Sequence, residues 1–102
     1  MLELIERRQS QLEGLCRRHK VRRLELFGSA ASGEYKPAVS DLDFLVEFLP
    51  LAPAQKADAY FGLLHDLEDL FRLKIDLVTS QAVRNRWFTR AIDSQRALLY
   101  AA

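Results

Sequence analysis

Hydrophobic side chains recur along this chain in two patterns, a helical spacing and short apolar runs. The first pattern predicts its helices and the second its strands. Over residues 2–20 the apolar positions follow a helical period, which favours an amphipathic helix covering one face of a sheet. These positions are Leu2, Ile5, Leu12, Leu15 and Cys16. A clearer stripe over residues 54–71 predicts a second helix, whose aromatic side chains we expect in the core. Its members are Ala57, Tyr60, Phe61, Leu64, Leu67 and Phe71.

Short apolar runs predict strands over residues 21–27, 41–48 and 73–79, and a last short strand over 97–100. A third helix is predicted over residues 81–93. There Trp87 and Phe88 are expected in the core, or partly exposed as an edge for a partner. The 102 residues suffice for one domain, and we expect a single domain over residues 1–102.

Two carboxylates begin the second predicted strand, although Asp is rare in strands and its burial is costly. Side chains alternate between the faces of a strand, so Asp41 and Asp43 share one face. As an alternative, Ser40 and Asp41 end a loop and Asp43 is a single unusual strand residue.

A further Asp, Asp76, lies in the third predicted strand. If the second and third strands are neighbours, Asp76 joins Asp41 and Asp43 on one surface. Three carboxylates so close would repel one another unless a cation lay among them, which favours a metal site. The alternative is that Asp76 pairs with Lys74 or a nearby Arg.

The turn after the first strand, Gly28-Ser29, is the candidate phosphate-binding element. Residues 30–32 can form one helical turn before Gly33, and a helix N-terminus presents backbone N–H groups to anions. Carboxylates near such a turn suit a divalent metal and a polyphosphate. The combination indicates metal-assisted phosphoryl or nucleotidyl transfer. The chain contains neither a P-loop motif nor H-E-x-x-H.

Composition excludes several other classes of protein. The formal net charge of +1 gives no support for nucleic acid as a standing partner, and the single Cys16 excludes an internal disulfide. Cys16 is expected to be a buried small hydrophobe, and His19 has no companions at metal-ligand spacing. His65 and Asp66 are adjacent on a helix and should point apart. No apolar run approaches the ~20 residues of a membrane span, so we expect a cytoplasmic protein.

Several of these motifs resemble a known family. Leu26-Phe-Gly-Ser29, Gly33 and Ser40-Asp-Leu-Asp43 are similar to motifs of the DNA polymerase beta-like nucleotidyltransferase superfamily, in particular of the minimal nucleotidyltransferases (MNT proteins). Lys74-Ile-Asp-Leu-Val78 resembles the strand that carries the family's third carboxylate, and Ala91-Ile92 and Leu98-Leu-Tyr100 resemble its C-terminal segment. The resemblance implies an α+β fold with a small mixed sheet flanked by helices.

The resemblance also implies roles for individual residues. Gly28, Ser29 and Ser40 would bind the nucleotide, and Asp41, Asp43 and Asp76 would bind Mg²⁺, with Asp76 acting on the acceptor hydroxyl. MNT proteins commonly act as antitoxins of all-helical HEPN toxins, and the active ones transfer AMP from ATP to a toxin tyrosine.

This chain departs from the family at one point, because Ala30 and Ser32 stand where family members often carry Arg. An Arg there would help to neutralise phosphates, a role that Lys36, Lys74 or an Arg of the partner could take over. The departure leaves open an antitoxin that neutralises its partner by binding alone. Modification of a small molecule or of an RNA end is a third hypothesis.

Overall fold

The computed structural model describes residues 3–27, 42–79 and 96–102. These parts of the chain contain the helices α1 (Glu3–Arg7), α2 (Gln9–Arg18) and α3 (Pro53–Phe71). They also contain the strands β1 (Val21–Phe27), β2 (Leu42–Phe48), β3 (Ile75–Thr79) and β4 (Arg96–Ala101). The helical turn predicted at residues 30–32 and the helix predicted at 81–93 lie outside the described residues.

The strands form a mixed sheet in the order β3-β2-β1-β4. β1 pairs antiparallel with both β2 and β4, whereas β2 and β3 are parallel. Parallel neighbours need a crossover connection, and α3 provides it between β2 and β3. The predicted α+β fold with a small mixed sheet flanked by helices is therefore confirmed.

The main core lies between the helices and one face of the sheet. Strand residues such as Leu24, Phe44 and Val46 are fully buried there against Leu63 and Leu67 of α3. The second face of the sheet has a small apolar cluster of its own, formed by Phe27, Leu45 and Val78. Since neighbouring residues of a strand face opposite ways, this second face is also the face of Asp43 and Asp76.

The predicted helix over residues 2–20 is interrupted at Arg8. The backbone of Arg8 leaves helical geometry (φ −107°, ψ 12°), and its N–H donates to the Ile5 carbonyl at 3.1 Å, a three-residue step that tightens the turn. Neither Pro nor Gly marks this break, and the helical spacing of apolar residues continues through it. The sequence pattern therefore predicted one continuous helix. Gly14, the weaker residue by propensity, lies within α2.

The predicted core stripe of α3 was wrong at Phe61, which is 65% exposed, and at Ala57, which is also exposed. The buried face of α3 consists of Ala59, Leu63, Leu67 and Phe71. Apolar residues extend most of the way round the middle of this helix, so two stripes fit its sequence nearly equally well. Packing against the sheet selects the second stripe.

Side chains from the helices reach backbone carbonyls on both edge strands. The Tyr60 hydroxyl donates to the Leu77 carbonyl of β3 at 2.6 Å, and the Gln9 amide donates to the Leu99 carbonyl of β4 at 2.9 Å. Partial burial, with a smaller contribution from the Asp76 charge, raises the pKa of Tyr60 and keeps its hydroxyl a donor. Such contacts blunt edges that would otherwise pair with other chains.

The ring of His19, at the end of α2, packs against α3 at Gly62. His19 Nε2 lies 2.5 Å from Asp66 Oδ2, and a Cβ atom on Gly62 would come within 2.7 Å of the ring. A Cβ atom on Gly14 would meet nothing within 4 Å. The two glycines therefore have different roles, although both lie within helices.

Replacing each glycine by Ala is expected to give opposite results. Gly14→Ala should stabilise the protein by about 0.5–1 kcal/mol, the gain in helix propensity. Gly62→Ala has the same gain but displaces His19 from Asp66, so we expect a net loss on the order of 1 kcal/mol. Urea unfolding of both variants measures the difference, and equal stabilisation by both would contradict the packing of His19.

Cys16 is fully buried, as predicted. Burial, with a smaller contribution from Glu13, raises the pKa of the thiol to about 12 from its ordinary value of 9.0. The folded protein therefore keeps the thiol proton at alkaline pH values at which the unfolded chain loses it. Burial and the raised pKa both disfavour a nucleophilic role at neutral pH, because the reactive form is the thiolate.

The raised pKa of Cys16 predicts a pH dependence of stability. Below pH 9 the thiol is protonated in both states, so it causes no dependence there. Between pH 9 and 12 the unfolded chain binds fewer protons than the folded one, and stability falls as pH rises, by up to about 1.4 kcal/mol per pH unit. Unfolding free energies at pH 8 and 10.5 should show this extra loss relative to Cys16→Ala. Parallel pH profiles for the two proteins would contradict it.

Candidate active site

Two of the predicted carboxylates lie side by side in the sheet. Asp43 of β2 is the register partner of Asp76 of β3, and the two strands are parallel. Neighbouring strands are about 4.8 Å apart, and paired residues of parallel strands project from the same face. The sequence predicted a shared surface for these carboxylates if the second and third strands were neighbours. The structure meets this condition for Asp43 and Asp76.

The surroundings of the two carboxylates differ. Asp76 is exposed, and within the described parts of the chain it forms no ion pair, so the predicted alternative of a pair with Lys74 is not found. Asp43 is half-buried. Two adjacent negative charges with oxygen ligands have the chemistry that Mg²⁺ prefers, and a cation between them would relieve their repulsion. The residues present therefore fit a divalent metal.

The other predicted site residues adjoin this pair in sequence. Phe27, the last residue of β1, is the register partner of Asp43, because β1 and β2 are antiparallel. Gly28 and Ser29 follow Phe27 directly, and Ser40 and Asp41 precede Leu42. These four residues lie outside the described residues, so their roles stay predictions.

A different group of potential metal ligands lies on α3. One ligand atom from each of His65, Asp66 and Asp69 lies within 4.8 Å of the others. His65 contacts Asp69 at 3.3 Å and Asp66 contacts His19, yet ligand atoms of His65 and Asp66 lie within 4.8 Å of each other, so the expectation that these adjacent residues point apart is not met. The spacing i, i+1, i+4 is the signal that could have indicated this group. This group on α3 contains neither Asp43 nor Asp76 and lies in the helical layer.

Sequence reasoning missed Glu25, a buried carboxylate on the same face of the sheet as Asp43. Glu25 is 5% exposed and is the register partner of Leu45, two residues along β2 from Asp43. Arg23 Nε donates to Glu25 Oε1 at 2.9 Å. The available signal was a carboxylate between the apolar residues Leu24 and Leu26, two residues from the opposite charge of Arg23.

Neighbouring carboxylates that can hold a divalent metal suit the metal-assisted transfer of phosphoryl or nucleotidyl groups. The described residues include no helix long and apolar enough to cross a membrane.

The chain belongs to the nucleotidyltransferase domain family, whose model matches residues 8–100. Two proteins of Methanocaldococcus jannaschii, each named "putative protein adenylyltransferase", are 32% and 33% identical to it over 92 residues. Each alignment covers 82% of this chain and 90% of the relative. The family resemblance drawn from the motifs is confirmed, and the class of activity is nucleotidyl transfer.

Solved structures share the fold. A "putative minimal nucleotidyltransferase" is 27% identical, with a TM-score of 0.67 over 94% of this chain and 95% of that one. A toxin–antitoxin complex with AMP-PNP gives a TM-score of 0.66 at 22% identity, over 92% of this chain and 73% of that one. A tri-AMPylated Shewanella oneidensis HEPN toxin in complex with MNT antitoxin gives 0.64 at 20% identity, over 95% and 72%.

Proposed function

We propose that this protein is a single-domain, Mg²⁺-dependent adenylyltransferase that transfers AMP from ATP to a tyrosine of an all-helical HEPN toxin. The observation that carries the proposal is the register pair of Asp43 and Asp76 on one face of the sheet. The relatives named protein adenylyltransferases support AMP as the transferred group. The fold shared with an MNT antitoxin bound to a tri-AMPylated HEPN toxin supports a toxin as the acceptor.

In this mechanism Asp41, Asp43 and Asp76 would hold Mg²⁺, and Gly28, Ser29 and Ser40 would bind the triphosphate. Bound there, the ion would neutralise charge on the phosphates and lower the pKa of the acceptor hydroxyl. Asp76, the exposed member of the pair, would accept the hydroxyl proton.

The bonds and charges of the reaction balance with these groups alone. The acceptor oxygen forms a bond to the α-phosphorus of ATP. The bond between that phosphorus and the oxygen that links it to the β-phosphorus breaks. Pyrophosphate leaves with the electron pair, and the hydroxyl proton passes to the carboxylate of Asp76. Cytoplasmic ATP would serve as the donor.

Incubation of this protein with a HEPN toxin as the candidate acceptor tests the proposal. The protein is supplied with Mg²⁺ and ATP labelled in either the α- or the γ-phosphate, and the intact mass of the partner is measured. Label from the α-phosphate alone, with a mass gain of one or more AMP units, is the expected result. Label from the γ-phosphate would show a kinase instead.

Neutralisation by binding alone is the second candidate, favoured by Ala30 and Ser32 at positions where an Arg is expected. A stable complex without any mass gain, unaffected by changing both Asp43 and Asp76 to Asn, would establish it in place of the transferase.

A further inference from the structure

Lys74 precedes β3 and continues its ladder by one residue. The Lys74 carbonyl accepts a hydrogen bond from the Leu42 N–H at 3.1 Å. Burial then alternates along the segment, with Lys74 exposed, Ile75 buried, Asp76 exposed and Leu77 buried. Lys74 therefore projects from the same face as Asp76, one pleat away.

The position of Lys74 along the sheet is also defined. Two residues of a strand span about 6.6 Å, a distance that an extended Lys side chain can bridge. From Asp76, Lys74 lies toward the beginning of β2, where the Leu42 N–H donates to the Lys74 carbonyl. The end of β1 is at the same edge, because Phe27 pairs with Asp43. Lys74 is thus at the end of the sheet where β1 ends, and the predicted phosphate-binding turn, Gly28-Ser29, follows β1 directly in sequence.

Arg23, another cation of this face, has a different setting. It lies four residues before Phe27, about 13 Å along β1 from the end of the sheet at which Phe27 pairs with Asp43. Lys74 stands one pleat from the carboxylate pair and is exposed. Among the described residues, its position is thus the better one for neutralising an anion held by a metal at Asp43 and Asp76.

We infer that Lys74 binds the β- and γ-phosphates of ATP. The inference rests on the proposed function and adds to it the group that holds the leaving pyrophosphate. A triphosphate keeps about two negative charges after one Mg²⁺ binds, and bond cleavage moves further charge onto the pyrophosphate. A cation already in position stabilises that charge, so Lys74 assists both binding and transfer.

Titration with Mg²⁺ and AMP-PNP by calorimetry tests the inference without any acceptor protein. Lys74→Met is expected to raise the Kd for AMP-PNP about tenfold or more, the usual loss for one charge-assisted hydrogen bond. Lys74→Arg keeps the charge and should stay close to wild type. The matched control is Lys56→Met, a Lys-to-Met change in the first turn of α3. AMP, which lacks the β- and γ-phosphates, should bind equally to wild type and Lys74→Met.

The outcomes separate this inference from the proposed function. If wild type binds AMP-PNP and Lys74→Met binds it equally well, the inference is overturned while the transferase stands. If Lys74→Met weakens AMP and AMP-PNP alike, the residue acts on the fold of the site and not on the phosphates, which also overturns it. If wild type binds no AMP-PNP with Mg²⁺, the proposed function fails and the inference fails with it.

Discussion

The Asp43→Asn variant is expected to transfer AMP on the order of a thousandfold more slowly than wild type. Asn has nearly the same shape as Asp but lacks the charge that would hold Mg²⁺. Because Asp43 is only half-buried and lies near the beginning of β2, the neutral amide should cost the fold little. Initial rates of AMP incorporation into the acceptor at saturating ATP measure the effect.

The matched control for this variant is Asp58→Asn. Asp58 is an exposed carboxylate on α3, and the same change there should leave the rate within about twofold, as expected for a surface substitution. Unchanged melting temperatures for both variants would show that the loss is chemical. A rate for Asp43→Asn near that of wild type would remove Asp43 from the metal site.

The Phe44→Ala variant is expected to lose about 3–5 kcal/mol of unfolding free energy, the usual cost of removing a buried aromatic ring. Phe44 is fully buried in β2, and its ring stacks on Phe71 of α3 with centroids 6.0 Å apart. Domains of this size are stable by about 5–15 kcal/mol, so this one change can bring the protein close to unfolding at room temperature. Urea denaturation followed by circular dichroism measures it.

Phe61→Ala provides the comparison within the same protein. The Phe61 ring is 65% exposed, so its removal should change stability by less than about 0.5 kcal/mol. If the two Phe-to-Ala changes had equal cost, the assignment of the buried face of α3 would be wrong.

The pair of strand carboxylates was predictable from the sequence, whereas their register was not. Alternation along a strand places Asp43 and Asp76 on a defined face of β2 and β3. Their pairing depends on a parallel connection through α3, and nothing local to either strand specifies it. The residues alone did not show that β2 and β3 are neighbours. The family resemblance provided that strand order.

Other features depend on tertiary contacts that the local pattern does not contain. Strict alternation from Leu24 would place Arg22 on the buried face, but a register shift between Val21 and Arg23 leaves it exposed, 4.0 Å from Glu47. The burial of Glu25 also depends on tertiary contacts, since an isolated strand gives no reason to bury a carboxylate. Irregularities of this kind arise where neighbouring strands twist against each other.

The position of the metal tests the central claim most directly. Crystals grown with Mn²⁺ in place of Mg²⁺ and with AMP-PNP give an anomalous signal that locates the ion. We predict a peak between the carboxylates of Asp43 and Asp76, at coordination distances of about 2.1 Å. A peak at His65, Asp66 and Asp69 on α3, with none at the strand pair, would contradict the assignment of this sheet face as the active site.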